Sequence, residues 1–373
     1  MTPTLTAQRV VRDVDVLSRA GLDLRTFAAE ALDSIQRAVP HLGACMATVD
    51  PSTLLLTGTL KFGDLQGRDD ADHEWGLIEY GTSEPTAFVE LAHRAVPAVA
   101  TRAVDPGSHR LNVFMAENYG YGDELRVMFR GEGQVWGAMA MFRGLDDRPF
   151  DAEDVATAAL LSEAFSHGIR TGILAGMDVP TVEPAYGPAV ILVGADDQIQ
   201  MVSDGAEQRL RDLMTSETGT SPDGIVSSLI GAARRYAAGL APRPPRCRVR
   251  ASSGMWLVLH ASPMTTRDGS VGTVVVTIDE ARPPEIVPLV VSTFGLTPRE
   301  RDVTQCVLQG MDTKEIAAAM HLSTYTVQDH LKAVFTKADV RSRRELIARI
   351  YFDQYVPRMG TDVGPTGWFA LTP

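Results

Sequence analysis

The sequence predicts a multidomain chain in which two α+β domains precede an all-α domain of four short helices. Three observations predict it. The chain has 373 residues, which is more than one small domain needs. Two successive segments mix strand-like runs with helical periodicity, and the final segment carries helix signals only. The predicted domains cover residues 1–176, 184–282 and 290–356, and a C-terminal tail covers 357–373.

The first segment begins its regular pattern with apolar residues at helical spacing, and Pro40 ends that helix. A Gly131-Glu132-Gly133 turn later joins two strands into a hairpin. The predicted elements are a helix at Leu24–Val39, strands at Ala44–Val49 and Leu54–Thr59, helices at Pro85–Ala95 and Ser108–Asn118, strands at Glu124–Phe129 and Gln134–Phe142, and a helix from Asp151 to Ile173. This order resembles a GAF-type sensor domain.

The second segment has a different order of predicted elements, in which two strands and two helices precede a three-strand meander. The strands are predicted at Ala189–Val193, Ile199–Val202, Cys247–Ala251, Met255–Ala261 and Val271–Ile278, the helices at Asp204–Leu213 and Ile225–Leu240, and a turn at Arg267-Asp268-Gly269. The order is similar to that of a PAS domain. A proline-stiffened linker is predicted at residues 280–284.

The third segment shows the start signals of four helices. Thr297 and Glu300, Asp312 and Glu315, and Ser342 and Glu345 are spaced as capping boxes. Ser323 is the expected N-cap of the third helix, and Gly310 ends the first. Because the second and third helices are separated by only His321-Leu322, the segment predicts a helix-turn-helix.

This segment resembles the LuxR/NarL family of DNA-binding domains. The resemblance lies in Leu296-Thr297-Pro298-Arg299-Glu300-Arg301-Asp302-Val303, Lys314-Glu315-Ile316-Ala317 and Thr326-Val327-Gln328-Asp329-His330-Leu331, and it covers about 60 residues. The chain departs from the family where Gln328 replaces a usual Lys and where Ala338-Asp339 replaces a usual Leu-Gly. We expect the first departure to alter base reading and the second to adjust a turn. Together with the GAF-like front, the chain resembles an actinobacterial-type group of GAF–LuxR regulators.

The exposed side chains of the third helix have the chemistry to read base edges. Gln bonds adenine bidentately, Asp accepts from cytosine and Lys donates to guanine or phosphate. By resemblance, the base-contacting positions fall on Gln328, Asp329 and Lys332, and Thr324 shares their face. The remaining candidates are for phosphate: Lys314, Thr326, Lys337, Arg341, Arg343 and Arg344.

The last helix carries two open interpretations. The family dimerises through it, which implies contacts from Leu346, Ile350 and Tyr351. Alternatively, these residues close the core of the monomer.

The net charge of −12 is unevenly distributed. Residues 294–356 hold 9 Lys/Arg and 8 Asp/Glu, a net charge of +1, whereas residues 1–293 hold 25 and 38, a net charge of −13. Few phosphates are neutralised per copy, so we expect modest nonspecific affinity for DNA and a homodimer on the operator.

Several function classes are excluded or disfavoured. The four lysines include none that fits a Walker A loop, and the front lacks the lysine of a phospho-receiver. We find no catalytic signature, so the chain is expected not to be an enzyme. Asp72, His73 and Glu74 are interpreted as a solvated loop and not a metal site, and no cofactor is expected. Three scattered cysteines, no signal peptide and no spanning segment favour the cytoplasm and no membrane partner.

The sequence therefore predicts a cytoplasmic transcriptional regulator of double-stranded DNA with a GAF/PAS-like front that responds to a small molecule or partner. RNA polymerase is a further candidate partner. The alternative is a quorum-sensing-type autoinducer receptor with the same DNA-binding module. Six front aromatics are expected to form core, with a ligand pocket as the second interpretation: Trp75, Tyr80, Phe114, Tyr119, Tyr121 and Trp136.

Overall fold

The computed structural model describes residues 4–105, 108–175, 187–213, 221–265 and 271–352. The chain forms two compact units, one holding two β-sheets and the other holding the C-terminal helices. The predicted boundaries of the individual domains stay predictions. The expected turn at 267–269 and the tail at 357–373 lie outside the described residues.

The first sheet is antiparallel, with strand order β2-β1-β5-β4-β3. Its strands are β1 Gly43–Val49, β2 Leu56–Gly63, β3 Ala98–Arg102, β4 Tyr121–Gly131 and β5 Gln134–Gly144. Its helices are α1 Leu5–Ser18, α2 Leu24–Gln36, α3 Asp72–Gly81, α4 Phe88–Leu91, a π-helical turn at Arg110–Met115, α5 Ala116–Tyr119 and α6 Ala152–Ala175. The predicted α+β class is confirmed, and the hairpin β4–β5 is its longest pairing.

The second sheet repeats the strand order of the first, now β7-β6-β10-β9-β8. The strands are β6 Ala189–Val193, β7 Ile199–Val202, β8 Arg246–Arg250, β9 Trp256–Thr265 and β10 Val271–Glu280. Helices α7 Asp204–Leu213 and α8 Pro222–Ala237 separate β7 from β8. Ser221 caps α8 by accepting a hydrogen bond from Asp223, and Pro222 occupies its first turn.

Helices α3 and α8 pack with unusually close backbones. A Cβ atom on Gly231 would lie 2.8 Å from the backbone nitrogen of Gly81, and one on Gly76 would lie 3.0 Å from the carbonyl oxygen of Gly224. Glycines at these positions therefore permit the two helices to approach.

A buried ion pair links the two sheets. Asp50 follows β1 in a turn, where its carboxylate accepts a hydrogen bond from the Ser52 amide. The same carboxylate accepts from Arg248 of β8 at 2.6 Å (Nη2–Oδ1) and 2.8 Å (Nε–Oδ2), and both side chains are less than one-tenth exposed.

Helix α3 corrects the expectation of a solvated loop at Asp72-His73-Glu74. Asp72 opens the helix and is buried, because its carboxylate pairs with Lys61. The His73 ring lies 3.0 Å (Nε2) from the carbonyl oxygen of Asp197. Within the described ranges, no group of three or more His, Cys, Asp or Glu side chains is arranged to hold a metal ion.

The aromatic residues of the front are mainly core. Phe114, Tyr121 and Trp136 are buried, and Tyr119 stacks on Tyr121. Trp75 packs against Phe114 and Tyr119, and together with Tyr80 it also lines a cavity. These side chains are therefore core, and a ligand pocket at Trp75 and Tyr80 stays a prediction.

The C-terminal unit is all-α in its described part. It contains α9 Pro283–Thr293, α10 Pro298–Leu308, α11 Thr313–Met320, α12 Thr324–Lys337, α13 Arg343–Ile347 and a π-helical turn at Ala348–Phe352. The predicted linker at 280–284 is corrected at its end, because its two prolines occupy the first turn of α9, where their missing N–H groups cost nothing. No helix among the described residues is long and apolar enough to cross a bilayer.

Candidate nucleic-acid interface

The helices of the C-terminal unit begin where their local signals place them. Thr297 and Glu300 form a reciprocal capping box on α10, and Asp312 and Glu315 form one on α11. Ser323 caps α12 by accepting from the Thr326 amide at 3.0 Å. These three helix starts are thus stabilised by short-range hydrogen bonds.

The box predicted on α13 is formed only by half. Ser342 accepts from the Glu345 amide, but the Glu345 carboxylate accepts from the Arg341 amide at 2.7 Å, one residue earlier than expected.

The turn between α11 and α12 is tight because His321 adopts a left-handed conformation, with φ of 55°. The Leu322 amide then donates to the carbonyl oxygen of Ala317 at 2.9 Å. This geometry directs α12 away from α11 as a separate helix, which is the arrangement of a helix-turn-helix.

Helix α12 has one buried face and one exposed face. Val327, Leu331 and Val334 are buried, and the helix packs through them against α10 and α11. The opposite face carries the predicted base-contacting residues, all exposed: Thr324, Gln328, Asp329 and Lys332. The structure therefore brings these four together on the N-terminal two-thirds of one helix, where a recognition helix meets base edges.

A shallow depression of about 300 Å³ borders this face, lined in part by Gln328, Lys332 and Arg341. Tyr325, which the sequence reasoning missed, is 72% exposed at the start of α12. An exposed aromatic side chain beside polar ones is a candidate for contact with thymine methyl groups or sugars. Its position in the second residue after the N-cap was the signal available in the sequence.

The predicted phosphate contacts divide into two groups. Lys314, Arg341 and Arg344 are exposed. In contrast, the Lys337 ammonium donates to Glu300 at 2.7 Å, and the Arg343 guanidinium donates to the Met311 carbonyl at 2.6 Å and to Thr313. These two cations support the domain by joining helices.

Thr326 also has an internal partner, since its hydroxyl lies 2.8 Å from the Ser323 hydroxyl. Its half-buried side chain helps to cap α12, and its contact with phosphate stays a prediction.

The acid–base state of Glu300 follows from these contacts. Burial raises the pKa of Glu300, but hydrogen bonds from Lys337 and from the Thr297 amide lower it by more, so that the pKa lies below the ordinary value. The carboxylate therefore remains charged and holds the end of α12 to the start of α10.

Two of the three predicted dimer contacts, Leu346 and Ile350, are buried within the domain of a single copy. Leu346 and Ile350 are 0% and 1% exposed, which corresponds to the alternative that they close the domain core. Tyr351 is half-buried. A dimer surface on this segment would consequently use neighbours of Leu346 and Ile350, and dimerisation through it stays a prediction.

The departure at Ala338-Asp339 is accommodated in the backbone. Asp339 takes the left-handed conformation, with φ of 51°, and the Val340 amide donates to the Phe335 carbonyl at 2.9 Å. A turn thus ends α12 at Ala338-Asp339, and its adjustment relative to the family stays a prediction.

Four capped helices, a tight left-handed turn and an exposed polar face on the third helix define a helix-turn-helix DNA-binding domain. The family model described as bacterial regulatory proteins, luxR family, matches residues 295–350. The chain is 34% identical over 55 residues to the spore germination protein GerE of Bacillus subtilis, covering 15% of this chain and 74% of GerE. The chain belongs to the LuxR family of bacterial regulatory proteins.

Other relatives share less of their length. A putative HTH-type transcriptional regulator of Aeromonas salmonicida is 47% identical over 51 residues, which are 14% of this chain and 26% of that protein. The chain thus spans about a quarter of that relative.

Two solved structures are similar at low identity. A GAF domain from a phosphoenolpyruvate-protein phosphotransferase of Coxiella burnetii is 14% identical, with 44% of this chain and 93% of that chain covered and a TM-score of 0.30. Escherichia coli SdiA is 8% identical, with 92% and 97% covered and a TM-score of 0.33.

Proposed function

We propose that the chain is a sequence-specific, DNA-binding transcriptional regulator that binds its operator as a homodimer. The observation that carries this proposal is the exposed face of α12, where Gln328, Asp329 and Lys332 lie opposite a fully packed apolar face. The three side chains offer an amide, an acceptor and a cation, which together can distinguish base pairs in the major groove.

The charge of the domain supports a dimer. With a net charge of +1 over residues 294–356, one copy neutralises few phosphates, and two copies on adjacent half-sites double the contacts. We propose further that the two-sheet unit responds to a small molecule, that the chain acts by binding and not by catalysis, and that RNA polymerase is a partner on DNA.

The alternative of an autoinducer receptor is less well supported. The cavity in the first sheet domain measures about 50 Å³, whereas pockets for drug-sized ligands measure about 300–1,000 Å³. This one cavity is therefore smaller than a ligand with a long acyl chain needs.

The proposal is tested by using the whole chain to select the DNA duplexes that it binds from a library of random sequences. We expect enrichment of an inverted repeat whose half-sites are centred about one helical turn apart, or a multiple of it. A library that remains unenriched after repeated rounds, while an established helix-turn-helix protein enriches its own site in parallel, would contradict the proposal.

A further inference from the structure

A partly open cavity lies between the first sheet and α3. Its floor consists of small side chains on neighbouring strands, Cys45 on β1 and Ala140 on β5, which are paired in register. Gly224 of α8 completes the wall, so the second sheet domain closes a space that the first begins. At about 50 Å³ the cavity exceeds several-fold the 10–15 Å³ that one water needs, and it accommodates about three to five non-hydrogen atoms.

The one cation in the wall is already satisfied. Lys61 is paired in register with Cys45, and its ammonium donates to Asp72 at 2.5 Å, to Asp69 at 2.7 Å and to the Arg68 carbonyl at 2.6 Å. An ammonium has three N–H donors, and all three are used. Lys61 therefore has no donor left for a ligand.

The acceptors in the wall are in excess. Lys61 binds Oδ1 of Asp72, while Oδ2 accepts no hydrogen bond from any residue that the structure describes. Asp72 lines the cavity although its side chain is only 7% exposed. A carboxylate oxygen on a residue that lines a cavity, with no donor from the chain, can accept a hydrogen bond from a ligand.

The surrounding buried charges do not balance. Glu79 also lines the cavity, and its carboxylate accepts a hydrogen bond from Arg126 at 2.8 Å. Glu79 thereby connects the cavity to a second group of buried ion pairs. In the ion-pair groups next to the cavity, the cations that are less than one-tenth exposed are Lys61, Arg110 and Arg126, and the carboxylates are Asp72, Glu79, Glu84 and Glu124. By formal charge, the carboxylates of these groups outnumber the cations by one.

The aromatic side chains in the rest of the wall favour binding of a cation. Trp75, Tyr80 and Phe88 line the cavity, and aromatic faces attract positive charge. The neighbouring Arg126 already uses this chemistry, with its guanidinium carbon 3.6 Å from the centre of the Phe88 ring. An anion in the same space would meet the carboxylates of Asp72 and Glu79.

We propose that this cavity binds a small organic cation of the alkylammonium class. The ammonium donates to Oδ2 of Asp72, and the alkyl group packs against Trp75 and the small side chains of the floor. The bound charge neutralises the excess negative charge of the cluster. The binding of such a cation is independent of the proposed regulatory function. Its role as the effector, however, rests on that function.

The protonation of Asp72 is consistent with this assignment. Burial raises the pKa of Asp72 to about 6, opposed by Lys61, while Asp69 and Asp223 raise it further. The Cys45 thiol on the floor stays neutral, because burial raises its pKa to about 12. At pH 7.5 the carboxylate is therefore ionised and able to accept from an ammonium.

The test uses the full-length chain without DNA, so that its failure is separate from a failure of DNA recognition. Isobutylamine, isobutanol and isobutyrate have nearly the same shape and differ in charge. Binding is followed at pH 7.5 by the thermal midpoint and by tryptophan fluorescence. We expect a saturable response to isobutylamine and affinities about tenfold weaker or worse for the neutral and anionic analogues.

Two matched variants refine the assignment. Asp72→Asn should weaken isobutylamine binding about tenfold. Asp69→Asn is the control, because Asp69 also pairs with Lys61 but is half-exposed and does not line the cavity. This variant should bind isobutylamine with an affinity within about twofold of that of the unmodified chain.

Three results would overturn the proposal: equal affinity for the alcohol or the acid in the unmodified chain, no saturable response to isobutylamine up to about 50 mM, or full affinity in Asp72→Asn. The first two need no variant and therefore hold even if Asp72→Asn does not fold.

Discussion

The contact between α3 and α8 predicts opposite effects for the same substitution at two glycines of one helix. Gly224 and Gly231 both lie in α8, where replacing glycine by alanine normally stabilises a helix by about 0.5–1 kcal/mol. A Cβ on Gly224 would meet only Leu56 and Asp72 atoms at 3.6 and 3.9 Å, which is ordinary contact. Gly224→Ala should therefore raise the free energy of unfolding by about 0.5–1 kcal/mol.

At Gly231 the added methyl group meets backbone and not movable side-chain ends. Its Cβ would lie 2.8 Å from the nitrogen and 3.1 Å from the Cα of Gly81. Forcing the helices apart costs about 1–3 kcal/mol, which exceeds the gain in helix propensity. We expect Gly231→Ala to destabilise the chain by about 1–2 kcal/mol net.

The assay is thermal unfolding of both variants beside the unmodified chain, at one protein concentration. A change of 1 kcal/mol corresponds to about 2–4 °C in a unit of this size, so Gly231→Ala should lower the midpoint by about 2–8 °C and Gly224→Ala should raise it by about 1–4 °C. If Gly231→Ala raises the midpoint as Gly224→Ala does, the close contact of α3 with α8 is refuted.

Three further predictions follow from individual contacts. Asp50→Ala leaves the buried guanidinium of Arg248 without its carboxylate and should destabilise the chain by about 3–5 kcal/mol in chemical denaturation; a loss below 1 kcal/mol would contradict the buried pair. Glu300 has a lowered pKa, so its contribution to stability is present above its ordinary pKa of 4.5 and is lost as the pH falls through the lowered pKa. Glu300→Gln should therefore lower the thermal midpoint at pH 7, and the difference from the unmodified chain should shrink as the pH is lowered through that range; a constant difference would count against the Lys337 contact. Because the pKa of Asp72 is raised to about 6, affinity for isobutylamine should fall between pH 7.5 and 5.5, and a flat profile would argue against its carboxylate as the acceptor.

The helix-turn-helix was the most predictable part of the molecule, and the reason is local. Thr297, Asp312 and Ser323 each bond an amide two or three residues away, so their signals lie within a few letters of sequence. The period of Val327, Leu331 and Val334 likewise revealed the buried face of α12 and hence its exposed face.

Elsewhere the short-range signals were weak. Helix α3 begins with Asp72, His73 and Glu74, which indicate a loop unless the partner of Asp72 is known. That partner, Lys61, lies on a strand 11 residues earlier. Strand β3 is an edge strand of only five residues, so the alternation of apolar and polar residues that would predict it is short.

Long-range pairs could not be read from the sequence at all. Asp50 and Arg248 are 198 residues apart, and nothing near either residue indicates the other. The same holds for the cavity, because its walls come together only when the strands, α3 and α8 pack in the folded chain. The sequence showed the recognition face, but not which cations near it, such as Lys337 and Arg343, are engaged within the domain.

The most direct test of the account is a gel-shift titration of an operator, selected as described above, across a range of salt concentrations. Lys332→Ala removes an exposed cation from α12, whereas Arg211→Ala removes an equally charged, 67% exposed side chain from α7. We predict that Lys332→Ala weakens operator binding about tenfold and flattens the salt slope by about one unit per contact, while Arg211→Ala changes neither. Unchanged affinity and slope in Lys332→Ala would contradict the assignment of α12 as the helix that reads DNA.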